Sequence, residues 1–156
     1  MTNNSPKPSS IASLAVQLQS GALDPVDLAT DTFARIRQSP DQSIFTSLLE
    51  ERAIREATAS RVRHRQGRSL GLLDGIPVAW KDLFDMAGIA TTAGSKILAK
   101  AAPAGKDAGV VAALAAAGMV SVGRVNMSEF AFSGLGINPH YGTPRNPRAS
   151  DQPRIP

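Results

Sequence analysis

The sequence predicts an α/β fold, and three observations predict it. Helical periodicities with buried stripes occupy the first part of the chain, up to residue 66. A strand, a long crossover containing a helix, and a second strand follow between Leu70 and Gly123, which is the βαβ pattern of a parallel pair. The composition, 42% hydrophobic and 19% charged, is that of a chain with a packed core. At 156 residues the chain is the size of one domain and could bury roughly 70% of its unfolded surface on closing.

Residues 1 to 8, MTNNSPKP, carry no periodicity and read as a flexible tail; the folded portion is expected over 9 to 156. Ile11, Leu14, Ala15 and Leu18 fall at i, i+3, i+4 and i+7 behind Ser9 and Ser10 as caps, with Gly21 as the stop. Asp24-Pro25 then supplies an N-cap followed by proline at the first helical position. Val26, Ala29, Phe33 and Ile36 continue one face until Pro40. From about Leu49 to Gln66 the apolar stripe narrows to Ala53, Ala57 and Val62 among dense charges, as on a surface helix.

At Leu70 the pattern changes period. Asp74-Gly75 is a turn signal, and Ile76, Val78 and Trp80, with Leu83 and Phe84 beyond, make a strand whose far end carries Lys81. After a loop over 85 to 96, Asp107 is placed to cap a helix through Ala117 that is apolar on almost every side and needs contacts all round. Gly118 ends it, and MVSVG (119 to 123) reads as a buried strand. Asn126 and Glu129 have capping-box spacing, so a short helix is expected to begin at Met127. Residues 133 to 156 form a long run rich in proline and glycine, expected to be mobile.

Several function classes are disfavoured. The chain has no cysteine, which removes disulfides, thiolate zinc sites and a cysteine nucleophile. The apolar stretch 109 to 120 is shorter than the roughly 20 residues a bilayer crossing needs, and no leader pattern opens the chain, so no membrane association and a cytoplasmic setting are the default expectations. A net charge of +4 raises nucleic acid as a partner, but the basic run 61 to 68 closes a helix, and aromatic residues to stack on bases are few, so none is expected. The glycines around Ser95-Lys96 lack P-loop spacing, His64 and His140 belong to no paired metal-ligand spacing, and no G-x-S-x-G occurs.

Lys81 is the residue with two readings. It can snorkel from the strand end or pair with Asp82 or Asp85. Alternatively it is buried and partly neutral, a proton acceptor for a serine nucleophile. Moving a lysine pKa from about 10.4 to about 7 takes roughly 4 to 5 kcal/mol of environment.

Three ordered blocks decide which family the chain resembles: GLLDGIPVAWKDLFDMAGIATTAGSK, then DAGVVAALAAAGMVSVGRVNMSEFAFSGLG, then GINPHYGTPRNP. Together they resemble the amino-terminal part of the amidase signature family, weakly from the first helices and specifically from residue 71 onward. The resemblance implies the amidase signature fold, here a partial mixed β-sheet flanked by helices. It implies a Ser-cis-Ser-Lys triad acting on carbon–nitrogen amide bonds of a small-molecule substrate, with no metal or organic cofactor. In that family the lysine of the GIPVxxKD block is the base, and here it is Lys81. The NMSEF block lies near the substrate pocket, making Asn126, Met127, Ser128, Glu129 and Phe130 candidates for shaping it.

The family continues past a RIP-like segment into a Gly/Ser-rich motif, and this sequence ends at PRIP. The expectation is therefore an incomplete, amino-terminal portion of a single amidase domain, holding the lysine but neither serine, inactive alone and marginally soluble. The alternatives are a non-enzymatic binding remnant and the catalytic subunit of a tRNA-dependent amidotransferase.

Overall fold

The structure, a computed structural model, describes residues 10–147. The expected tail at 1 to 8 and the terminal PRIP lie outside the described residues. Helix α1 spans Ile11–Gln19 and starts where Ser10 Oγ accepts the amide of Ser13 at 3.1 Å. Helix α2, Pro25–Gln38, starts as the Asp24-Pro25 pair dictates, with Asp24 Oδ1 accepting the Val26 amide at 2.8 Å. Helix α3, Glu50–Arg65, has no side-chain cap. It has Glu50 and Glu51 in its first turn and Arg63, His64 and Arg65 in its last, each sign matched to the helix dipole.

Strands β1 (Phe45–Leu48), β2 (Pro77–Lys81) and β3 (Val120–Val125) form one sheet in the order β1-β3-β2. Helix α4, Gly109–Ala116, lies in the crossover between β2 and β3, which run parallel as the βαβ reading requires. β1 runs antiparallel to β3, so the sheet is mixed and helix-flanked, and the fold is α/β.

β1 is legible in the sequence only as Ile44-Phe45-Thr46, a run of β-formers too short for a period to show. It lies so close to β3 that a Cβ on Gly123 would come within 2.8 Å of the Phe45 ring and 2.9 Å of the Ser47 carbonyl oxygen. The pairing register shifts at that point, between Phe45 and Ser47.

The core has three parts. Phe33 and Ala29 of α2 and Ala53 and Ala57 of α3 pack on Val120 and Val122 of β3. Trp80, Met86, Leu49 and Val111 form a second cluster, and Leu18, Ile76 and Met119 a third. A fully buried side chain of the size of Phe33 or Leu18 contributes about 2 kcal/mol.

Two helix expectations are corrected. Asp107 does not cap α4. Its carboxylate takes a bidentate pair from Arg52, at 2.9 and 2.7 Å, and the amide of Ala87 at 2.8 Å, and α4 begins beyond it at Gly109 without a side-chain cap. A forked, charge-assisted pair is stronger than a single capping bond. Nor is α4 surrounded: Val111 is its buried residue, while Val110, Ala112 and Ala113 are exposed. The helix expected from Met127 is instead a single 3₁₀ turn, Glu129–Ala131, because Asn126 is used elsewhere.

Candidate active site

β2 and β3 end side by side, with Lys81 in register with Val125. The carboxyl ends of parallel strands are where open α/β sheets place ligands. Alternation along β2 sends Trp80 into the core, where its indole Nε1 donates to Ser121 Oγ at 3.1 Å, and leaves Lys81 exposed.

The expectation of a buried lysine is not met within the described residues. β2 is an edge of the sheet, and nothing described covers the face that carries Lys81. Its amine also pairs with neither neighbouring carboxylate. Asp85 accepts from Thr91 Oγ1 at 2.6 Å. Asp82, almost fully buried, is occupied on both oxygens: Oδ1 meets Arg124 Nη2 at 2.6 Å and the Thr92 amide at 3.0 Å, while Oδ2 accepts Thr92 Oγ1 at 2.6 Å and Thr46 Oγ1 at 2.9 Å.

Arg124 is equally buried. Its Nη1 donates to the Ala90 carbonyl at 2.8 Å and its Nη2 to the Phe84 carbonyl at 3.1 Å, while Nε has no partner among the described residues. Burial lowers the Arg124 pKa from the usual guanidinium range, opposed by the charges of Asp82 and Asp85.

The Asn126–Phe130 segment leaves β3 beside this pair, and its five residues do different work. Asn126 Nδ2 donates to the carbonyls of Ser43 and Gly142, at 3.0 and 2.8 Å, and its Oδ1 accepts the Met127 amide at 2.8 Å, so it staples three segments and caps none. Met127 is buried, and so is Ser128, whose hydroxyl has no hydrogen-bond partner among the described residues. Glu129 lies 3.2 Å from His140 Nε2, and a hydrogen bond from Ser95 together with His140 holds its carboxyl below the usual range. Phe130 is half exposed, and its amide donates to the Ala93 carbonyl at 2.8 Å.

Backbone strain collects at the same place. Ala93, Phe130 and Ala131 all have positive φ, at 50°, 52° and 57°, the described non-glycine residues that do. The turn at 92–95 is fastened to Asp82 through Thr92 and to the Met127 segment through Asn138. Asn138 Nδ2 donates to the carbonyls of Gly94 and Met127, both at 2.7 Å, and its Oδ1 accepts the amides of His140 and Tyr141. That network ties residues 138–143 of the proline- and glycine-rich run to the site region.

Thr92, Arg124 and Asn138 are site-region residues that sequence reading misses, and Asp82, Ser95 and His140 are ones it weighs without assigning them the partners they have here. One signal was available: Arg124 interrupts the apolar run of β3, and a buried arginine requires a buried acid. Among the described residues no group of three or more histidine, aspartate or glutamate side chains could hold a metal ion, and no helix is long and apolar enough to cross a membrane.

Comparison with known proteins bears on the family and the fold. The Amidase family profile matches residues 27–153. The A subunit of glutamyl-tRNA(Gln) amidotransferase from Pseudomonas entomophila (strain L48) is 40% identical over 139 residues, which cover 88% of this chain and 28% of that protein. The AtzE subunit of 1-carboxybiuret hydrolase from Pseudomonas sp. (strain ADP) is 48% identical over 103 residues, 66% of this chain and 22% of its own length. Among solved structures, the native peptide amidase of Stenotrophomonas maltophilia superposes with a TM-score of 0.72 at 34% identity, over 80% of this chain and 26% of that one. A bacterial aryl acylamidase of the amidase signature enzymes superposes at 0.81 and 26% identity, over 89% of this chain and 29% of that one. The chain thus spans about a quarter of the length of these relatives. Family match, shared fold and identity along the chain lead to one statement: this chain belongs to the amidase family.

Proposed function

We propose that the chain supplies the lysine base and one wall of the substrate pocket of an enzyme that breaks carbon–nitrogen amide bonds. The observation that supports this is Lys81, its amine exposed and without a hydrogen bond or ion pair among the described residues, at the carboxyl end of an edge strand and in register with Val125, the last residue of β3. In the triad reading, a nucleophilic serine attacks the amide carbon. Its proton passes through a cis serine to Lys81 Nζ, which then returns it to the departing nitrogen as the carbon–nitrogen bond breaks. Water, or a second acceptor, releases the acyl group from the serine. The 156 residues contain no Gly/Ser-rich motif to carry these serines, so on this reading the chain has no activity alone. Asn126, Met127, Ser128, Glu129 and Phe130 line the pocket in the reading; no organic cofactor or metal is invoked, and the substrate is a small amide.

A second reading is favoured by the amidotransferase relatives, 39 to 40% identical over 88 to 94% of the chain: the amide nitrogen is passed to an acceptor instead of being released.

The test joins this chain to the remaining part of an amidase-family domain and follows ammonia release from small primary amides. Activity that falls at least about a thousandfold in Lys81→Ala, with unchanged circular dichroism and melting, supports the base assignment. Near-normal turnover by Lys81→Ala overturns it. Complete absence of activity in the unsubstituted assembly favours a binding role, and nitrogen transfer that depends on an acceptor favours the second reading.

A further inference from the structure

At one end of the sheet β1 begins while β2 and β3 finish, so that Phe45, Val125 and Lys81 pair in a single row across the three strands. Residues 138 to 145 run past this end as a strap fastened at three places. At its start Asn138 Nδ2 donates to the Gly94 and Met127 carbonyls, both at 2.7 Å, and the Asn138 amide meets Thr143 Oγ1 at 3.1 Å, which closes the turn. In its middle the Gly142 carbonyl accepts from Asn126 Nδ2 at 2.8 Å. At its far end the Arg145 amide donates to Asp41 Oδ2 at 2.6 Å.

We propose that Asn126 and Asp41 are positioning residues for the catalytic serines: by clamping the strap to the row that holds Lys81, they fix how the sequence that follows it approaches the lysine. The inference rests on the reading of Lys81 as the base of a triad whose serines lie beyond the strap. Three observations carry it. Asn126 directly follows Val125, whose carbonyl accepts the Asp82 amide at 3.0 Å, so the clamp and the lysine strand share one backbone hydrogen bond. The side chain of Asn126 is spent on protein partners, with Nδ2 on Ser43 and Gly142 and Oδ1 on the Met127 amide, so what it supplies at the pocket is position. Asp41 holds both sides of the junction, since Oδ1 accepts the Ser43 amide at 2.9 Å while Oδ2 holds Arg145, and these two amides keep its carboxyl below the usual range. The fit is close: Gly142 has φ +82°, and a Cβ there would collide with the Ser43 side chain. Proton transfer needs its partners within about 2.6 to 3.2 Å, and a misplacement of about 1 Å can cost on the order of a hundredfold in rate. A lysine fixed in a sheet and serines carried by another segment meet only if something holds the segment to the sheet.

The test uses the complete domain assembled as above, with Asn126→Ala and Asp41→Ala compared by amide hydrogen exchange and by steady-state hydrolysis of a small primary amide. Each variant is expected to exchange faster over 138–145 while β2 and β3 keep their protection, and to lose kcat by about ten- to a hundredfold with KM within about twofold. Retained protection of β2 and β3 removes a shortage of folded enzyme as the cause. If Asn126→Ala does not fold, Asp41→Ala decides, because Asp41 precedes β1 and lies in no strand. Unchanged exchange over 138–145 overturns the proposal, as does faster exchange with undiminished kcat. A rise in KM alone also overturns it and makes Asn126 a substrate-binding residue. Failure of the underlying reading shows separately, as near-normal turnover by Lys81→Ala or as an unsubstituted assembly without turnover.

Discussion

Asn138 and Gly94 meet closely beside the candidate site. A Cβ on Gly94 would lie 2.7 Å from the Met127 carbonyl oxygen and 2.8 Å from Asn138 Nδ2, and φ there is +68°, in the region side chains avoid. Gly94→Ala is therefore expected to destabilise the chain by about 2 kcal/mol or more, read as a lowered urea midpoint. Asn138→Ala leaves two buried carbonyls and two amides without their partner, and a loss of about 2 to 4 kcal/mol is expected. Either variant at native stability would mean that the 92–95 turn is not held by the 138–142 loop.

Among the elements, the ends of the helices and the turn before β2 are held by carboxylates whose protonation should unlock them. Burial works to raise the Asp74 pKa, but hydrogen bonds from Arg63 and the Leu70 amide, with the charge of Arg63, carry it below the ordinary value of 3.8. Asp107 is likewise lowered, chiefly by the Arg52 hydrogen bond. At Asp24, Arg61 and the Val26 amide outweigh burial. Each folded-state pKa lies below its unfolded one. The stabilisation is therefore complete above the unfolded value of about 3.8 and disappears as pH falls through the lower folded value. Urea midpoints should be level between pH 7 and about 5 and drop steeply below about 4. Asp74→Asn should flatten part of that drop, and an equally steep loss in the variant would remove Asp74 from the account.

For the whole molecule, the exposed apolar surface is the dominant feature. Phe132 is 96% and Ile97 78% exposed, with Phe130, Leu135 and Ile137 also open near the site, and both outer strands of the described sheet have an unpaired edge. Self-association of the chain alone at micromolar concentration is the expected result in sedimentation velocity. Phe132→Glu together with Ile97→Lys should weaken it while leaving the melting temperature within about 2 °C, because neither side chain contributes to the packed clusters. A monomer with a sharp cooperative melt before any substitution would contradict this.

Much of this protein is decided locally and is therefore legible in sequence. Ser10, Asp24-Pro25 and Gly67 set helix boundaries through hydrogen bonds and φ preferences within a few residues, and the apolar runs about β2 and β3 announce a parallel pair because the crossover between them is long. Lys81 stands out in the sequence as a cation at the end of an apolar run, while its reading as a base rests on the family resemblance. What the sequence could not settle are the outcomes of competition between partners far apart in the chain. Asp107 takes Arg52 rather than a helix end, Asn126 takes Ser43 and Gly142 rather than its own turn, and Asp82 takes Arg124 rather than Lys81. A side chain with several possible partners goes to the one that burial makes strongest, and burial exists only once the tertiary structure has brought the segments together.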